Sequence, residues 1–184
     1  MDLIDGVPLN QYALPKRDKN RKSYRHDVSP IVHQLQGYID QLRHIGSAFN
    51  KESLCNFWPE GPFRIILFLN PIPGGEFYTM LDFYNYWMIA ARQATHKVAP
   101  EVLDTPFLPT LSQGDFAPQN IMVKNGRVVA ILDWETFGWY PDFWDEMMLT
   151  GRALASKGSV KHISDALPPI APALFHFFIT SISW

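Results

Sequence analysis

One cysteine, Cys55, stands in 184 residues. An internal disulfide is therefore impossible, and a single thiol fits a reducing compartment. Charge of either sign is also scarce: 16 basic against 18 acidic side chains leave a net −2, with no electrostatic footprint for nucleic acid. The only basic cluster, Lys16-Arg17-Asp18-Lys19-Asn20-Arg21-Lys22, reads as a solvated loop. No apolar run is long enough to span a bilayer, and the most apolar stretch, residues 173–182, is both too short and too polar. A basic start followed by an apolar signal core is missing as well. The sequence thus predicts a cytoplasmic protein with neither nucleic acid nor membrane as partner. It also lacks a G-x-G-x-x-G loop, and no strand lysine paired with a helix glutamate can be read from it.

What is present is enough apolar material, 47% of residues with 14% aromatic, for one domain with a buried core. Ser29-Pro30 predicts a capped start for an amphipathic helix. Ile31, Leu35, Tyr38, Leu42 and Ile45 form its stripe, and Gly46 is its expected end. His33 and His44 have no partner at ligand spacing and are expected at the surface. Residues 47–75 are rich in proline and glycine, with one apolar run at 65–69 that reads as a strand or buried turn. A second helix is expected over 77–94, opened by Thr79-x-x-Asp82. Its stripe of Met80, Leu81, Tyr84, Trp87, Met88 and Ala91 reads as core before ligand wall. A third helix is expected over 142–155.

The chemistry concentrates in residues 112–140. Two β-prone runs, 121–123 and 128–132, flank Asn125-Gly126, the dipeptide of a type I′ hairpin turn. That turn predicts Lys124 opposite Arg127 and Asn120 opposite Ile131. Asp133 would then share a face with Asn120, diagonal to it at roughly 7–8 Å between backbones, a gap that suits a divalent cation. Asp115 and Asn120 form D-x-x-x-x-N. This is the spacing of a kinase catalytic loop, in which the aspartate accepts a hydroxyl proton and the asparagine holds magnesium. Asp133 falls where a second magnesium carboxylate belongs. Each residue also has an ordinary use at a turn or strand end. A two-metal hydrolase could employ the same carboxylates, but nothing else in the sequence supplies further ligands.

Gly114-Asp115, Pro118, Asn120-Ile121, Ile131-Leu132-Asp133-Trp134-Glu135 and Gly138-Trp139-Tyr140-Pro141 resemble the signature of aminoglycoside phosphotransferase (choline-kinase-like) proteins. The D-W-E and G-W-Y-P forms resemble a fungal-type subgroup. The resemblance implies an α+β, mainly helical fold, the C-terminal lobe of the protein-kinase-like fold with a catalytic-loop β-hairpin. It extends over residues 1–155, with 156–184 an unspecified tail. It implies Asp115 as catalytic base, Asn120 and Asp133 as magnesium ligands, and ATP and Mg2+ as cofactors. Residues 1–6 are similar to the hinge between lobes, where the carbonyl of Asp2 and the amide of Ile4 would hold adenine. The chain is then expected to begin at the hinge, its N-lobe absent or supplied as a separate segment. The family usually places histidine before Gly-Asp. Gln113 stands there instead, a departure that bears on loop rigidity more than on chemistry. The reaction implied is transfer of the ATP γ-phosphoryl group to a hydroxyl of a small molecule. The competing expectation is a catalytically silent fragment or pseudokinase, at most a binding module. An acidic cleft for an aminoglycoside could draw on Glu135, Asp142, Asp145 and Glu146, although solvated helix ends are the plainer use of such residues.

Overall fold

A computed structural model describes residues 4–17, 23–24, 26–57, 75–90, 108–155 and 163. Helices and short antiparallel sheets make this an α+β fold, with more residues in helix than in strand among those described. In chain order the elements are β1 (Val7–Pro8), α1 (Leu9–Tyr12), β2 (Lys16–Arg17), β3 (Ser23–Tyr24), α2 (Ser29–Ser47), β4 (Cys55–Asn56) and α3 (Met80–Ala90). They continue as β5 (Pro109–Ser112), β6 (Ile121–Lys124), β7 (Arg127–Ile131), β8 (Gly138–Pro141) and α4 (Trp144–Ala155). Three ladders join the strands: β1-β6-β7, β2-β3 and β4-β8-β5. No helix among the described residues is long and apolar enough to cross a membrane.

α2 forms where the apolar spacing predicts it, but both ends differ. Ser29 lies inside the helix, and its N–H is accepted by Asp27 Oδ1 at 2.9 Å. Asp27 thus takes the first free N–H, and the donors a Ser29 cap would take, the N–H groups of Ile31 and Val32, go to the Val28 carbonyl at 2.9 Å. Gly46 does not stop the helix, which runs to Ser47. A Cβ on Gly46 would stand 2.7 Å from Leu111 Cβ, so the glycine lets α2 lie directly on β5. Ile31, Val32, Leu35 and Ile39 are buried, whereas Ile45, expected on the stripe, is exposed. His33 and His44 are exposed, as expected.

α3 starts at Met80 rather than 77, because Phe77 is held in a bridge to Leu54. Thr79 caps it: its Oγ1 accepts from the Asp82 N–H at 3.1 Å and donates to Asp82 Oδ2 at 2.7 Å. The buried face is Met80, Phe83, Tyr86, Trp87 and Met88, while Leu81 is exposed. This aromatic face is core. Trp144 of α4 packs edge-on against both Phe83 and Trp87 with centroids 5.5 Å apart, and stacks on Tyr140 at 5.0 Å.

The basic run is not all loop, since Lys16 and Arg17 pair with Tyr24 and Ser23. Residues 18–22, the apolar run 65–69, the α3 continuation beyond 90 and the tail from 156, Ile163 apart, lie outside the described residues.

Candidate active site

β5 delivers the chain to Gln113, Gly114 and Asp115, and this turn is braced from every side. Gly114 has φ +90°, and a Cβ there would stand 2.4 Å from the Thr136 carbonyl oxygen, so no other residue fits. Asp145, at the start of α4, accepts the N–H of Gln113 at 3.1 Å and of Gly114 at 3.2 Å. Trp144 Nε1 donates to the Gly114 carbonyl at 2.9 Å, and Thr136 Oγ1 donates to the Gln113 carbonyl at 3.3 Å. The aromatic core and the loop are therefore one hydrogen-bonded unit.

Gln113 braces the loop rather than loosening it. Fully buried, it accepts the Asp115 N–H on Oε1 at 2.9 Å and donates from Nε2 to the carbonyls of Leu132, at 3.0 Å, and Asp133. One amide thus ties the Asp115 backbone to the Asp133 backbone. An amide carries both an acceptor and donors, which suits it to this double role.

Asp115 is 3% exposed. Asn120 Nδ2 donates to its Oδ2 at 2.8 Å and to its carbonyl at 3.1 Å, across a 3-10 turn spanning Pro118–Asn120. Burial pushes the Asp115 carboxyl above its ordinary range. The Arg152 guanidinium and the Asn120 hydrogen bond pull the other way, and Asp133 pushes it further up. The structure thus brings Asp115, Asn120 and Asp133 into one neighbourhood, with the two carboxylates close enough to repel.

The hairpin turn is as expected, with φ +52° at Asn125 and +75° at Gly126, and Lys124 faces Arg127. The register toward the site is not. A bulge between Met122 and Val123 shifts the ladder so that Ile121, not Asn120, faces Ile131. The Leu132 N–H donates to the Asn120 carbonyl at 2.8 Å. A bulge places two residues opposite one and turns the strand, so the diagonal placement of Asp133 does not hold. Asp133 instead lies past the strand end at φ +60°, exposed. α2 holds the hairpin from outside: Gln34 donates to the Gly126 carbonyl at 3.3 Å and accepts the Val128 N–H at 3.2 Å.

Asn120 and Asp133 offer oxygen donors, and with Nδ2 of Asn120 spent on Asp115 its Oδ1 is the remaining acceptor. A hard octahedral cation such as magnesium binds through one or two carboxylates plus water, and an exposed Asp133 leaves room for water. The donor set fits. No group of three His, Cys, Asp or Glu side chains suited to a metal cage occurs among the described residues.

Arg152, from α4, lies 3.5 Å from Asp115 Oδ1, and no motif in the sequence points to it. Asp145 was equally unreadable as a loop anchor. It is buried and its carboxyl is pushed up to about 7, burial outweighing the two N–H donors. Glu146 takes both its oxygens to Arg43 Nη2, at 2.7 and 2.8 Å. Neither Asp145 nor Glu146 is therefore available to an acidic cleft, while Glu135 and Asp142 are exposed. Of the two expected hinge residues, Asp2 lies outside the described residues and Ile4 is exposed. The chain is pinned to the site soon after, since Val7 pairs with Val123.

A braced Gly-Asp turn, an asparagine bonded to the aspartate, and a second aspartate past the hairpin thus lie in one neighbourhood. Residues 87–158 match the model of the phosphotransferase enzyme family. That segment holds Asp115, Asn120 and Asp133, and the match agrees with the resemblance of the sequence to aminoglycoside phosphotransferases. Among solved structures the chain is similar to apo macrolide 2'-phosphotransferase MphH from Brachybacterium faecium, at 15% identity and TM-score 0.46. That likeness covers 97% of this chain and 58% of the other. No curated protein matches.

Proposed function

We propose that this site transfers the γ-phosphoryl group of ATP to a hydroxyl of a small molecule. The observation that carries the reading is Asp115, a buried carboxylate oriented by Asn120 and electrostatically coupled to Asp133. Asp115 would orient the acceptor hydroxyl and take its proton, as the acceptor oxygen bonds to phosphorus and the bond to the leaving ADP oxygen breaks with its electron pair. Asn120 Oδ1 and the Asp133 carboxylate would hold magnesium. A cation there neutralises charge on the phosphates and relieves the repulsion between the two aspartates. Gln113 and Asp145 keep the base from drifting, because positioning in this chemistry is most of the catalysis. The adenine would lie by the backbone of Asp2 and Ile4, in keeping with the family resemblance, and the setting would be cytoplasmic.

A second reading, a silent binding module, is favoured by one contact, Arg152 Nη2 3.5 Å from Oδ1 of Asp115, a cation standing where the proton would be taken. Calorimetric titration with ATP, with and without Mg2+, tests both readings. Magnesium-dependent binding supports the site, and phosphorylation of an added hydroxyl compound then separates enzyme from module. ATP binding that ignores magnesium, or no binding, would refute the phosphotransfer reading.

A further inference from the structure

We propose a second binding site, apart from the Asp115 neighbourhood, that takes a small, neutral, hydroxyl-rich molecule of monosaccharide size. A cavity of about 380 Å³ opens between α2 and the start of α4, lined by His33, Gln36, Gly37, Asp40, Arg43 and Glu146. It shares no residue with the set of Asp115, Asn120 and Asp133. Its volume is at the low end for small-molecule pockets, which limits the ligand to a compact one.

Gly37 is what marks the cavity as more than a gap in the surface. It lies in the middle of α2, where glycine is destabilising relative to alanine. On the same helix Gly46 is explained by its close approach to Leu111, but a Cβ added to Gly37 would meet nothing within 4 Å. Packing therefore does not require this glycine, and the room left by its missing side chain belongs to the cavity. Next to it the half-buried Gln36 amide and the exposed His33 ring take part in no hydrogen bond among the described residues. Their donors and acceptors are open to a ligand.

The charges along the cavity decide which ligand fits. Arg43 Nη1 lies 3.5 Å from Asp40 Oδ1, and its Nη2 donates to both Glu146 oxygens at 2.7 and 2.8 Å. The row thus runs negative, positive, negative. An anion entering it meets Asp40 and Glu146 as like charges, and a cation meets Arg43. Hydroxyl groups can join the row without disturbing it, donating to the lone pairs of Asp40, 74% exposed, and exchanging hydrogen bonds with the Gln36 amide.

Amide NMR of the whole chain tests the site, with myo-inositol and D-glucose as neutral probes and protonated D-glucosamine and D-gluconate as charged ones. The neutral polyols should shift the amides of His33, Gly37 and Asp40 first, leave those of Asp115, Asn120 and Asp133 in place, and bind more tightly than the charged probes. Gly37→Leu should fill the cavity and abolish the shifts while raising the melting temperature, since leucine suits a helix interior better than glycine. Asp40→Ala, at an exposed helix position, should weaken polyol binding about tenfold by removing a charged acceptor. No shift with either neutral polyol, shifts centred on Asp115, a charged probe that binds as tightly, or shifts that survive Gly37→Leu or Asp40→Ala would overturn the proposal. A melting temperature lowered by Gly37→Leu would overturn it too, because packing would then require the glycine.

Discussion

Asp115 and Asp133 have the same side chain and opposite settings. Asp115 is buried in a turn whose backbone is fixed by Asp145, Trp144, Thr136 and Gln113. Asp133 is exposed, held only through its backbone, where Gln113 donates to its carbonyl. The difference teaches which half of the site the fold must define. Under the proposed function Asp115 accepts a proton at one geometry, which packing sets. Under the same proposal Asp133 ligates a hydrated cation, which needs reach and water, and solvent supplies what the protein omits.

Substitutions at the buried end should break the fold along with the site. Gly114→Ala should have the largest effect, because a Cβ would strike the Thr136 carbonyl at 2.4 Å on backbone at φ +90°. A loss above about 3 kcal/mol is expected in urea unfolding. Next comes Asp145. Its carboxyl titrates near 7 in the folded chain against an ordinary 3.8, so the folded state holds the proton more tightly. That contribution is complete below 3.8, declines as pH rises, and is lost above about 7. Wild type should therefore lose stability relative to Asp145→Asn as pH rises through this window, by on the order of 4 kcal/mol at most. Urea midpoints of both chains across the window give the sign.

The hairpin tip separates strain from crowding. Gly126 also has positive φ, but the nearest atom to an added Cβ is Tyr12 Oη at 3.8 Å. Gly126→Val should then cost backbone strain alone, about 1–2 kcal/mol, less than Gly114→Ala. Equal melting shifts for the two would mean that crowding at Thr136 is not what fixes the Gly114-Asp115 turn. At the exposed end, Asp133→Asn should leave stability within about 0.5 kcal/mol of wild type.

The sequence made legible whatever depends on neighbours in the chain. Asn125-Gly126 gave the turn because only backbone at positive φ closes it, and the spacing of Asp115 and Asn120 gave their contact across one short turn. Long-range placement was opaque. The bulge that moves Asn120 off Ile131 leaves no mark in the alternation of residues 121–132. The short pairing of Cys55 with Trp139 is too brief to show a period. Gly46 looked like a helix end because a close approach to Leu111 cannot be read from one strand of sequence. Arg152 and Asp145 were hidden for the same reason: charged residues at helical spacing read as solvent-facing until the packing of α4 on the Gln113–Asp115 turn brings them inward. Gln113 was legible as a departure from the family pattern, but its effect was not, since the two carbonyls its Nε2 reaches, of Leu132 and Asp133, lie about twenty residues further on.

The central claim is that Asn120 and Asp133 together hold a divalent cation beside Asp115. Paramagnetic broadening by Mn2+ in the presence of ATP, read residue by residue by NMR, tests it most directly. The amides of Asn120, Asp133 and Trp134 should broaden first in wild type and be spared in Asp133→Asn at the same concentration. Broadening centred on Asp142 and Glu146 instead, or unchanged in Asp133→Asn, would contradict the assignment.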